Sequence, residues 1–196
     1  MMKKTLALIL GLTYAGVFSL AVSGQESGDG PRFRGTTLIR PANYREWSFL
    51  SSGMGMTYSD AGAQLGAPQT FGNVFVNPSS YRSFMQTGRW PDQTIFILET
   101  RTSATEGSIV KGGRFQTTLA GMEAEVKDAR VPGGWAFFNF GSPQQMPDAV
   151  APLSGNAVAA CVECHTNNTA VERTFVQFYP TLLDVARSKG TLKPGF

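Results

Sequence analysis

Thr94-Ile95-Phe96-Ile97-Leu98-Glu99 is the stretch on which the fold turns. It lies within Gln93 to Arg101, the clearest strand in the chain, and its apolar residues fall on both faces. A strand of that kind is covered on both sides, so it is expected at the centre of a sheet. On its upstream side Trp90-Pro91-Asp92 is a turn. Before that, Asn77-Pro78 reads as an N-cap followed by proline at the first helical position. A short helix runs from Ser79 to Thr87, with Gly88 as its C-terminal glycine. Thr70 to Val76 alternates as a strand, and the small, polar residues 59–69 before it read as a loop. A strand from Trp47 to Tyr58 interrupted by glycine, and a helical turn over Pro41 to Trp47, complete this half.

On its downstream side residues 102–113 read as a polar loop, and Phe115 to Val126 as a strand bent near Gly121. Pro132-Gly133-Gly134 is a turn before the aromatic strand Trp135 to Phe140. A Pro/Gly-rich connection over 141–155 leads to a helix from Asn156 to Cys164. Phe175 to Pro180 reads as extended, and Thr181 to Ser188 as a terminal helix closed by Gly190. The sum is an α+β chain, mainly an antiparallel β-sheet of about five strands with short flanking helices. The 22 glycines and 11 prolines fit that turn-rich reading.

The N-terminus has a different character. Met1-Met2-Lys3-Lys4 is a positive n-region, and Thr5 to Val22 is almost wholly apolar and uncharged. Ala21-Val22-Ser23 and Val22-Ser23-Gly24 offer small residues for cleavage. Residues 1–24 are therefore predicted to be a signal peptide, 25–40 a flexible mature N-terminus, and 41–196 one domain exported to the periplasm. The alternative for the apolar run is a retained membrane anchor. The whole chain carries 17 Lys and Arg against 14 Asp and Glu; without Lys3 and Lys4 the balance is 15 to 14. No basic cluster remains to suggest a nucleic-acid partner.

Both cysteines and the single histidine lie in Cys161-Val162-Glu163-Cys164-His165. This is the C-x-x-C-H spacing of haem c attachment. Two thiols can bond the two vinyl groups on one porphyrin edge, and the adjacent imidazole can bind the iron. A redox disulfide, a zinc site and a plain structural disulfide are weaker readings. The chain has no βαβ context for the first, too few ligands for the second, and no role for His165 in the third. One haem c per chain is thus expected, held by Cys161 and Cys164 with His165 as metal ligand. With no second histidine, the sixth position falls to Met, Lys, water or nothing. Met54, Met56, Met85, Met122 and Met146 are the thioether candidates. A His/Met iron reads as an electron carrier, and an open iron as a binding or catalytic centre.

Taken together, several segments resemble the cytochrome P-460 family, which includes the beta-type cytochromes c-prime. They are Tyr44-Arg45-Glu46-Trp47, Phe71 to Asn77 with Tyr81 and Gly88, Trp90 to Glu99, Gly133-Gly134-Trp135, the C-x-x-C-H motif and Phe175 to Pro180. The resemblance implies an antiparallel β protein, usually a homodimer, with a five-coordinate haem c and a distal face built from the sheet. P-460 members of the family oxidise hydroxylamine and bear a lysine bond to the haem edge. The beta-type cytochromes c-prime lack that bond and bind nitric oxide beneath apolar residues.

This chain departs from the enzyme pattern. Leu98 stands about where the family's cross-linking lysine would fall, and Lys111, the nearest downstream lysine, is in a loop. The segment Leu153 to Ala160, where the enzymes place a distal carboxylate, has no acid, and Asp148 is the closest upstream. Phe96 and Leu98 share one strand face and are expected to form an apolar, cofactor-binding distal wall. Such a wall offers no proton acceptor and favours nitric oxide or a similar small ligand; no catalytic residue is assigned. The alternatives are hydroxylamine oxidation with electrons passed to a partner cytochrome, and simple His/Met electron transfer. Glu99 and Arg101 are expected to form a surface ion pair.

Overall fold

The computed structural model describes residues 28–57 and 69–196. The expected signal peptide, Tyr58 and residues 59–68 of the expected loop lie outside the described residues. Among those described, no helix is long and apolar enough to cross a membrane.

Five strands form one antiparallel sheet: β3 (Ser48–Met54), β4 (Thr70–Val76), β5 (Ile95–Ala104), β6 (Phe115–Lys127) and β7 (Trp135–Gly141), in that spatial order. The strand apolar on both faces, β5, is the central one, as its pattern requires. Its odd and even residues serve two different cores. Phe96 packs with Val76, Phe84, Trp90, Trp135, Phe137 and Leu182 on one face. Ile95 and Ile97 pack with Leu38, Met122, Val126, Phe138 and Phe140 on the other. Each such side chain, fully buried, is worth roughly 1.5–3 kcal/mol.

The first face is covered by three helices, α1 (Pro78–Thr87), α2 (Gly155–Asn167) and α3 (Pro180–Lys189). Gly88 and Gly190 close α1 and α3 in the left-handed conformation, at φ of 70° and 64°. Asn77 occupies the N-cap position of α1, but its side chain does not cap. Its Oδ1 accepts from Ile95 N at 2.9 Å instead, tying the helix start to β5. The cap comes from Asp29, whose carboxylate accepts from Ser79 N at 2.8 Å and Ser79 Oγ at 2.6 Å.

The second face is partly covered by a three-stranded sheet that sequence reading did not anticipate. It consists of β1 (Phe33–Arg34), β2 (Thr37–Ile39) and β8 (Ala149–Val150), in the order β1-β2-β8. Residues 28–40 are therefore not a loose arm. Leu38 is fully buried in the second core, and β2 pairs with a strand 110 residues away, so no local pattern announces it. Two further corrections concern element type. Residues 102–104 continue β5 rather than opening a loop. Val176–Phe178 is a 3-10 turn rather than extended chain. The expected bend near Gly121 is present, as slips in the β5–β6 register between Thr100 and Ser103.

Candidate functional site

Between the first face of the sheet and helix α2 lies a cavity of about 460 Å³. That is within the roughly 300–1,000 Å³ usual for a cofactor or small-molecule site. Helix α2 brings the C-x-x-C-H motif to its edge. Cys161 and Cys164 are three residues apart and so share one helix face, with His165 one turn from Cys161. All three line the cavity. Both thiols are free and half-buried. Burial, then the negative charges of Glu123 and Glu125, push the Cys161 thiol above its ordinary pKa. It stays protonated at neutral pH, which disfavours the reactive-thiolate reading of the motif.

His165 is set by its surroundings. Its Nδ1 lies 2.8 Å from the carbonyl oxygen of Arg173, an acceptor only, so Nδ1 carries the proton and donates. The ring sits edge-on to Phe137 and Phe175, at centroid distances of 4.9 and 4.8 Å. The Arg173 carbonyl is itself held by its loop. Glu172 turns the chain back at φ 51° and pairs with Lys127 Nζ at 2.6 Å. Trp90 Nε1 donates to Thr174 Oγ1 at 2.8 Å, and Thr174 Oγ1 donates on to Val171 O. Nε2 is thereby left to bind a metal, an orientation that metal-ligating histidines commonly take.

The floor of the cavity runs across the sheet away from His165. Gly53 on β3, Gly72 on β4, Thr100 on β5 and Gly121 on β6 are in register, so one row across four strands carries a single side chain. The first three line the cavity. A Cβ on Gly72 would come within 3.3 Å of Leu98 Cδ1. Met56 folds over Gly53 and Leu98 over Gly72, so the trench is lined by flexible side chains; beside two thiols and an imidazole with a free nitrogen, it fits a planar macrocycle.

Phe96 and Leu98 both line this cavity, on the shared face expected for them. Phe96 is only 5% exposed and stands between Trp90, at 4.8 Å, and Trp135, at 6.3 Å, so it belongs to the core as much as to the wall. Of the five candidate methionines, Met56 lines the cavity. Met122 is buried on the opposite face, Met85 and Met146 pack against the two cores, and Met54 is exposed. Among the described residues no lysine lines the cavity, Lys111 included.

The wall is not purely apolar. Glu123 and Glu125 on β6 also line the cavity, beside Leu98 and Phe96 in the register. Desolvation raises both carboxyls above the ordinary glutamate value, partly offset by His165; Glu125 is largely enclosed, whereas Glu123 keeps an exposed side chain. Glu125 Oε1 lies 3.3 Å from His165 Nδ1. Burial opposes the charged imidazole, but Glu125 and the Arg173 carbonyl outweigh it and raise the His165 pKa. The expected absence of a carboxylate holds for the segment before the motif but not for the pocket. The acids come from a strand instead. The signal was present in Met122-Glu123-Ala124-Glu125-Val126, where alternate apolar residues fill one core and send both glutamates to the other face.

Glu99 and Arg101 are on the face away from the cavity, and Glu99 is not a surface residue. It is 1% exposed, and its carboxylate accepts from Tyr44, Arg45, Asn73 and Arg101. The sheet centre is covered on both sides, so a carboxylate there must be paired.

The family model for cytochrome P460 matches residues 41–176, which span the five-stranded sheet and the C-x-x-C-H helix. This chain belongs to the cytochrome P460 family, and that membership makes it a haem-binding cytochrome. No curated protein matches it.

Proposed function

We propose that this chain is an exported, periplasmic cytochrome with one haem c, attached through Cys161 and Cys164 and ligated by His165. Its role is to bind nitric oxide or a similar small ligand at an open iron. When bound, the haem supplies an iron centre able to take up a diatomic ligand. The observation that carries the reading is the composition of the cavity away from His165. Val74, Leu98, Gly53 and Gly72 form it with the hydroxyls of Ser51, Thr70 and Thr100, and among the described residues no lysine or second histidine lines it. Leu98 and Val74 give that part of the cavity its apolar surface, and nitric oxide needs no hydrogen-bond donor to bind ferrous iron.

A second reading has its own support. Oxidation of hydroxylamine, with electrons passed to a partner cytochrome, needs a group to take protons. Glu123 lines the cavity beside Leu98 with a raised pKa and would supply one. A homodimer is proposed for either role.

The optical spectrum of the purified ferrous protein, before and after nitric oxide, tests both, with a haem stain on a denaturing gel. Stained protein with a high-spin spectrum that moves on nitric oxide addition supports the binding role. A strongly red-shifted Soret band means a haem cross-link and puts the enzyme first. A low-spin spectrum unmoved by ligand overturns both and points to Met56 as a sixth ligand.

A further inference from the structure

Two buried side-chain polar atoms among the described residues lack a hydrogen-bond partner, and one is Oε1 of Glu125. Its side chain is 12% exposed and sits in register between Phe96 and Phe137, an apolar setting in which a charge is costly. The groups that offset the cost are His165, whose Nδ1 is 3.3 Å away, and the more distant charge of Arg173. The Nδ1–H already points to the Arg173 carbonyl at 2.8 Å. The imidazole proton is thus taken by a backbone carbonyl, with a buried carboxylate beside it at ion-pair distance.

We propose that Glu125 is the positioning residue behind the iron-binding imidazole. Its charge stands beside the Nδ1–H that His165 gives to the Arg173 carbonyl, and makes Nε2 a stronger electron donor. A carboxylate behind a metal-ligating histidine fixes the ring and raises its basicity. The consequence is preference for ferric over ferrous iron and a stiffer iron–histidine bond. This rests on His165 being the iron ligand, as proposed above.

The test uses the exported, haem-loaded full chain as wild type, Glu125→Gln, Glu125→Asp and Asp184→Asn. Haem content, midpoint potential and the ferrous iron–histidine stretch by resonance Raman are read on the same samples. Glu125→Gln is expected to shift the equilibrium about tenfold toward ferrous, about 59 mV upward for one electron, and to lower the stretch. Glu125→Asp keeps the charge but withdraws the contact, so it lowers the stretch with a smaller change in potential. Asp184→Asn, exposed on α3 and outside the cavity, leaves the stretch at the wild-type frequency. A wild-type stretch in both Glu125 variants overturns the proposal, as does an equal drop in Asp184→Asn. If Glu125→Gln holds no haem, Glu125→Asp decides by the same criterion. Loss of haem from both, with wild type loaded, makes Glu125 structural and overturns the proposal alone. Wild type without haem overturns it together with the proposed function.

Discussion

Replacing Glu99 by glutamine removes the charge at the centre of a buried network behind the cavity wall. The carboxylate accepts from the Tyr44 hydroxyl, the Arg45 and Arg101 guanidinium groups and the Asn73 amide, the last two at 2.6 and 3.1 Å. Burial alone would raise its pKa, but these donors outweigh it and hold the carboxyl below its ordinary 4.5. Tyr44, by contrast, is pushed up to about 12, first by burial and then by the adjacent carboxylate. Breaking a buried charged pair costs about 3–5 kcal/mol. The Arg45 side chain is 52% exposed and can rehydrate, so the lower end applies. A loss of about 3 kcal/mol lowers the melting temperature by about 6–12 °C for a chain of this size.

The assay is thermal unfolding followed by circular dichroism, wild type against Glu99→Gln, both carrying the same haem content. Glu99 has a depressed folded pKa, so its contribution is complete above 4.5 and is lost as pH falls through the lower folded value. The gap between the two proteins should be constant from pH 7 down to about pH 5.5 and narrow on further acidification. A gap of less than about 1 kcal/mol at pH 7, the size of a surface ion pair, refutes the reasoning. So does a gap that persists unchanged in acid.

Three further outcomes are expected. Phe96→Ala, between Trp90 and Trp135, should cost about 3–5 kcal/mol by urea unfolding, because the side chain is core. Gly72→Val places side-chain atoms in the trench against Leu98, and should reduce haem per chain several-fold on a stained gel while leaving the urea midpoint of the haem-free chain nearly unchanged. Asp29→Ala uncaps helix α1 across 50 residues of sequence and should cost about 0.5–2 kcal/mol, read by thermal unfolding.

Much of the architecture was legible because it rests on local rules. The double-sided pattern of Ile95 to Leu98 placed β5 at the sheet centre, and Asn77-Pro78 with Gly88 marked both ends of α1. The C-x-x-C-H spacing named the cofactor class through bonding geometry contained within five residues. What depended on long-range pairing was not legible. The β1-β2-β8 sheet joins segments about 110 residues apart, and Asp29 caps a helix that begins far along the chain from it. Glu99 read as a surface charge because its four donors come from three separate segments.

The site divides along the same line. Sequence alone determined that two thiols and one imidazole lie side by side, because they fall within five residues of one helix. Only the tertiary structure decided what faces that imidazole. The Arg173 carbonyl, Phe137, Phe175 and the carboxylate of Glu125 converge on His165 from a loop and two strands. The glycine row is likewise a product of register across four strands. Side-chain direction along a strand can be read from alternation, but which strands are neighbours, and what lies opposite them, follows only from folding.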